Sequence, residues 1–91
     1  MELTFTADGN QEIVTDFAQN IISITGTFGS GTVQGSYSPD NGVTYIDDPN
    51  LVFASNKSVI LEFLKGAKLK FTLTGSTSPS LTVFIKPYFA N

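Results

Sequence analysis

Apolar and polar residues alternate along most of this chain. Ile22, Ile24, Gly26 and Phe28 are interleaved with Ser23, Thr25 and Thr27. Val33, Gly35 and Tyr37 alternate with Thr32, Gln34, Ser36 and Ser38. Leu69, Phe71 and Leu73 alternate with Lys68, Lys70, Thr72 and Thr74; Leu81, Val83 and Ile85 alternate with Thr82, Phe84 and Lys86. A period of two sends successive side chains to opposite faces, so each run reads as a strand with one buried and one wet face.

Turn-forming residues separate the runs. Asp8-Gly9-Asn10 ends the first strand, and Gly29-Ser30-Gly31 follows the second long one. Pro39-Asp40-Asn41-Gly42 has a proline to pre-set one turn angle and a glycine to allow a positive one, a strong hairpin turn. Gly75-Ser76-Thr77-Ser78-Pro79-Ser80 joins the last two strands. The pattern predicts strands over 2–6, 11–18, 21–28, 32–38, 43–47, 50–54, 58–63, 67–74 and 81–88. Residues 59–66 are also compatible with a short helix stopped by Gly66. Their small number, and the strand preference of Val59 and Ile60, favour a strand or turn. Strands at this spacing predict an all-β fold, a small antiparallel β-sandwich or jelly-roll-like barrel, in a single domain spanning 1–91.

Composition narrows the chemistry. The chain has no histidine, cysteine, arginine or tryptophan. It therefore lacks the usual general base, the usual soft-metal ligands and nucleophiles, and the bidentate anion clamp. No enzymatic activity and no cofactor are expected. Paired carboxylates are the remaining catalytic route, but the spacing of Glu12, Asp16, Asp48 and Glu62 singles out no pair. The net charge of −3 argues against nucleic acid, which needs a basic stripe. No apolar run is long enough to span a membrane as a helix. The opening Met1-Glu2-Leu3-Thr4 lacks the basic region of a signal peptide, so synthesis and folding in a cytoplasm are expected. For a disulfide-free chain of this size, apolar burial and ordering entropy nearly cancel, which makes self-association a natural source of stability.

Few residues stand out as binding candidates. Asp40, Asn41, Asp47, Asp48 and Asn50 are the one candidate for a hard-cation site, set against their ordinary use in turns, which is favoured. Tyr37 and Tyr45 flank the Pro39–Gly42 turn. With Asp40 beside them they form a weak candidate for ligand contact, although the parity of Tyr37 with Val33 points it toward the core. Lys57, Lys65, Lys68, Lys70 and Lys86 are the cations; Lys68 and Lys70 share the polar face of one strand, with Lys86 expected on its neighbour. Outward lysines of this kind keep strands soluble and unpaired. Phe84 interrupts the polar face of the last strand, and Tyr88 shares its parity. Apolar side chains on both faces imply cover on both sides, by another subunit or by residues 47–56 of the same chain. Phe84, Tyr88 and Phe89 are therefore the candidate interface.

The segment from Ile22 to Tyr45 runs strand, Gly26-Thr27-Phe28-Gly29, small turn, strand ending Tyr37-Ser38-Pro39-Asp40-Asn41-Gly42, then an aromatic strand. It resembles small bacteriophage virion proteins. Lys68 to Gly75 followed by Ser80-Leu81-Thr82-Val83 fits the same pattern, so the resemblance covers most of the chain. It implies a non-catalytic structural part of the virion, made in the host cytoplasm: a head decoration or accessory protein, or a tail or fibre component. The implied partners are other virion proteins and further copies of itself, with a trimer as the first expectation because decoration proteins often occupy threefold sites. A carbohydrate- or ligand-binding β-sandwich module is the alternative. It needs two or more aromatic rings exposed in one plane.

Overall fold

A computed structural model of the chain describes residues 2–15, 19–62 and 68–87. Along these residues run eight strands: β1 Glu2–Phe5, β2 Gly9–Val14, β3 Gln19–Thr27, β4 Thr32–Ser38, β5 Ile46–Phe53, β6 Lys57–Glu62, β7 Lys68–Thr74 and β8 Ser80–Pro87. They form two antiparallel four-stranded sheets, ordered β1-β8-β3-β6 and β2-β7-β4-β5. Because the sheets are separate and packed face to face, the protein is a β-sandwich.

The alternation seen in the sequence becomes the core. Ile22, Ile24, Leu81, Val83 and Ile85 project inward from the β8 sheet, joined by Phe5. Val33, Leu51, Phe53, Leu69, Phe71 and Leu73 meet them from the β7 sheet, and all are buried. Side chains on two inner faces interdigitate in this way when each strand spends every second residue on the core. The residues between them face outward. The 57–62 stretch is a strand, as its β-branched residues favour, and pairs along its whole length with β3 from Gln19↔Glu62 to Ile24↔Lys57.

Three sequence expectations are corrected. The strands predicted over 43–47 and 50–54 are one strand, β5. Between Gln34 and Ser36 on β4, its partner jumps from Val52 to Asp47, so three residues of β5 are extra and bulge out. Pro49 lies in this bulge on the sheet edge, where a missing N–H costs no ladder bond. The Gln34 side-chain amide fills the gap by donating to the Asp48 carbonyl at 2.8 Å. Gly9 and Asn10 open β2 rather than sit in the preceding turn. Lys86 lies on β8, in the opposite sheet from Lys68 and Lys70 on β7, so the three do not share a face.

Most connections cross between the sheets. The arches after β1, β3, β5 and β7 gather at one end of the sandwich, since Thr27 pairs with Ser80 and Ile24 with Lys57. There the chain locks itself. The Thr77 N–H donates to the Gly29 carbonyl at 2.9 Å. Asp8 accepts from the backbone N–H groups of Gly75 and Ser76 and from the Ser76 hydroxyl. The Gly26 N–H donates to Asn56 Oδ1 at 3.1 Å.

Candidate functional site

The acidic residues of the 40–50 region are engaged in local structure. Asp40 accepts the Thr44 N–H at 2.7 Å and the Ser38 hydroxyl at 3.0 Å, and Ser38 Oγ in turn accepts the Gly42 N–H at 2.6 Å. Donors aimed at the charged form, the Thr44 N–H foremost, hold the Asp40 carboxyl below its ordinary range. Asp47 accepts the Ser36 hydroxyl at 2.7 Å, and Asp48 accepts the Asn50 N–H at 2.9 Å. Each carboxylate thus has its own turn or bulge to satisfy. Among the described residues no three acidic side chains converge to hold a cation.

The two tyrosines point to opposite faces. Tyr37 is half-buried and packs against the core, following the parity of Val33. Tyr45 lies just before β5 and reaches over the outer face of the β7 sheet. Its hydroxyl donates to Glu12 on β2 at 3.0 Å, and Lys70 of β7 sits 4.4 Å from its ring centroid. Partial burial, together with the Glu12 bond, pushes the Tyr45 phenol above its ordinary range. The cation occupies a ring face, which is a favourable electrostatic arrangement. Tyr45 is therefore a strap holding three strands, and the pair does not form the shared aromatic plane that stacking on a sugar needs.

The outer face of the β8 sheet differs. Its pairing places Phe84 beside Ser23 and Glu2, and Lys86 beside Ile21, which itself opposes Ile60. Phe84 and Ile21 are half-buried, and Ile60 is 54% exposed. Ile21, Ser23, Phe84 and Lys86 line a shallow depression of about 360 Å³. Around it lie hydrogen-bonded polar pairs: Gln19 with Glu62 at 2.7 Å and Ser23 with Ser58 at 2.7 Å. The result is a small apolar stripe, Phe84–Ile21–Ile60, running across β8, β3 and β6 within a polar rim.

Phe84 thus sits on a surface, as its parity required. Residues 47–56 do not cover it, because β5 belongs to the other sheet. β8 is an interior strand whose inner face is covered by its own chain, so only its outer face is available to a partner. Tyr88 and Phe89 lie outside the described residues. Ile21 and Ile60 are additional members that the sequence reading passed over. The same signal marks them: Ile21-Ile22 and Val59-Ile60-Leu61 are consecutive apolar residues within strands, so one of each set must face outward.

Compared with protein-family models, with curated proteins and with solved structures, the chain has no match. Fold and surface define a class, a small antiparallel β-sandwich with an apolar stripe on the outer face of its β8 sheet. Among the described residues no helix is long and apolar enough to cross a membrane.

Proposed function

We propose that this protein is a non-catalytic structural subunit that works by protein–protein contact through the outer face of the β8 sheet. The setting is the one its sequence resembles, a bacteriophage particle, where it serves as a head decoration or accessory protein or as a tail component. One observation carries the reading: an aromatic ring, Phe84, stands with Ile21 and Ile60 on a face whose other positions are serine, threonine, glutamine and charged residues. An apolar stripe with a polar rim is the form of a contact surface. The polar groups elsewhere support the same view, since Asp8, Asp40, Asp47, Asp48, Glu12 and Tyr45 are each bonded within the fold.

Light scattering at micromolar concentration tests it. The wild type is expected to self-associate, and Phe84→Ser is expected to lower the particle mass without unfolding the domain. A monomeric wild type, or an oligomer whose mass and stability ignore Phe84→Ser, would overturn the reading of this face.

A further inference from the structure

The sandwich has four sheet edges, and three of them are guarded. β1 is only four residues long, and the Gln11 side chain donates to the Thr4 carbonyl on it. β2 carries a carboxylate, Glu12, near its middle. β5 is broken by the bulge at Asp48–Asn50, contains Pro49, and has the Asn50 N–H taken by Asp48. Short length, charge, proline and bulges are the devices by which β-proteins prevent edge pairing. β6 has no proline and no bulge, and its charged residues, Lys57 and Glu62, stand only at its two ends. It runs six residues, Lys57-Ser58-Val59-Ile60-Leu61-Glu62, in unbroken register with β3. Among the described residues it has no other strand partner. Its four central residues are uncharged, and Ile60 is 54% exposed.

We infer that β6 pairs antiparallel with β6 of a second copy of this chain about a twofold axis at Ile60, joining two β8 sheets into one eight-stranded sheet. The parity of the strand selects the register. A twofold axis normal to the sheet lays outer face on outer face, so outward residues must oppose outward residues. Ser58, Ile60 and Glu62 are the outward set, being paired with Ser23, Ile21 and Gln19 of β3. A register matching Lys57 with Glu62 would suit their charges. It is excluded because Lys57 has the inward parity of Ile24 and lies 5.7 Å from the ring of core residue Phe53.

The Ile60-centred register has three physical advantages. Ile60 meets Ile60 of the second copy as a direct cross-strand apolar pair. Each Glu62 carboxylate faces the Ser58 hydroxyl of the second copy, a donor. The two Glu62 residues sit four positions apart, roughly 14 Å at ~3.4 Å per residue, so they do not repel closely. The apolar stripe then runs without interruption from Phe84 through Ile21 and Ile60 to the same three residues of the second copy. The contact deepens the proposed use of that face, because it doubles the stripe's length. It also replaces the threefold expectation with an even-numbered assembly, since a twofold edge contact closes on itself.

The chain contains no cysteine, so single cysteines report the register cleanly. Ile60→Cys is expected to give a disulfide-linked dimer on mild oxidation as the dominant species. Ser58→Cys, with its sulfurs roughly 14 Å apart in this register, is expected to stay unlinked. Ile60→Lys is expected to halve the mass of whatever particle survives Phe84→Ser. A dimer that survives Phe84→Ser and links at position 60 supports the edge while refuting the face. An oligomer that needs Phe84 but does not link at position 60 supports the face and overturns the edge. Linking at position 58 instead of 60 overturns the register, and open-ended growth with concentration overturns the closed twofold.

Discussion

Replacing Gly29 by alanine asks whether the interlocked arches hold this sandwich together. Gly29 has φ 59°, in the left-handed region. An L-residue pays about 1–2 kcal/mol to sit there. A Cβ on Gly29 would also stand 2.1 Å from the Thr77 carbonyl oxygen, which is backbone and cannot swing aside. The arch after β7 must move away, and the 2.9 Å bond from the Thr77 N–H to the Gly29 carbonyl goes with it. That adds about 0.5–1.5 kcal/mol. The total is about 1.5–3.5 kcal/mol, a large share of the roughly 5–15 kcal/mol that holds a typical domain folded. Gly42→Ala is the internal control. Gly42 has φ 96°, so it carries a similar backbone cost, but its new Cβ would meet only the flexible end of the Lys68 side chain at 3.1 Å. It should cost about 1–2 kcal/mol. At roughly 4–8 °C per kcal/mol for a domain of this size, the melting point drops by about 4–16 °C for Gly42→Ala and about 6–28 °C for Gly29→Ala. With no tryptophan in the chain, far-ultraviolet circular dichroism and tyrosine emission are the probes. If Gly29→Ala costs no more than Gly42→Ala, the two arches are not in contact and the reasoning fails.

Acid should weaken the fold in a definite window. Asp8 is held below its ordinary 3.8 by the Ser76 hydroxyl and backbone N–H, and Asp40 by the Thr44 N–H. Because their folded values lie below the unfolded ones, the stabilisation is present above the ordinary aspartate range and lost as pH falls through the folded values. The urea midpoint should therefore hold steady from about pH 7 to about pH 5 and decline below about pH 4, and Asp8→Asn together with Asp40→Asn should flatten the decline. A midpoint equally acid-sensitive in the double variant would assign the effect to other groups. Spectrophotometric titration should show the Tyr45 phenol ionising above the ordinary tyrosine range. Glu12→Gln should bring that phenol down by removing the carboxylate it donates to. A Tyr45 phenol that titrates in the ordinary range, or that Glu12→Gln leaves unmoved, would mean that the strap over the β7 sheet does not form in solution.

The period-two pattern alone determined that this chain is all-β and which residues of β3, β4, β7 and β8 are core. A strand's side chains must alternate, so the core set is written in the order of the residues. The positive φ of Gly42 and the structural use of Asp40 were legible for the same local reason, because turn geometry is decided by neighbours a few residues apart. The outward placement of Phe84 followed from parity. Which strands lie side by side did not. Eight short strands admit many orders, and local pattern is silent about partners distant in sequence. Only the tertiary structure put Lys86 in a different sheet from Lys70 and merged the two segments around Pro49 into one bulged edge strand. It also sent Tyr45 across β4 to Glu12. Sheet order likewise decided the surface that matters most. Phe84, Ile21 and Ile60 come from three separate stretches of chain, and they form one stripe because β8, β3 and β6 are neighbours. Among the described residues β6 is an edge strand because the order ends there.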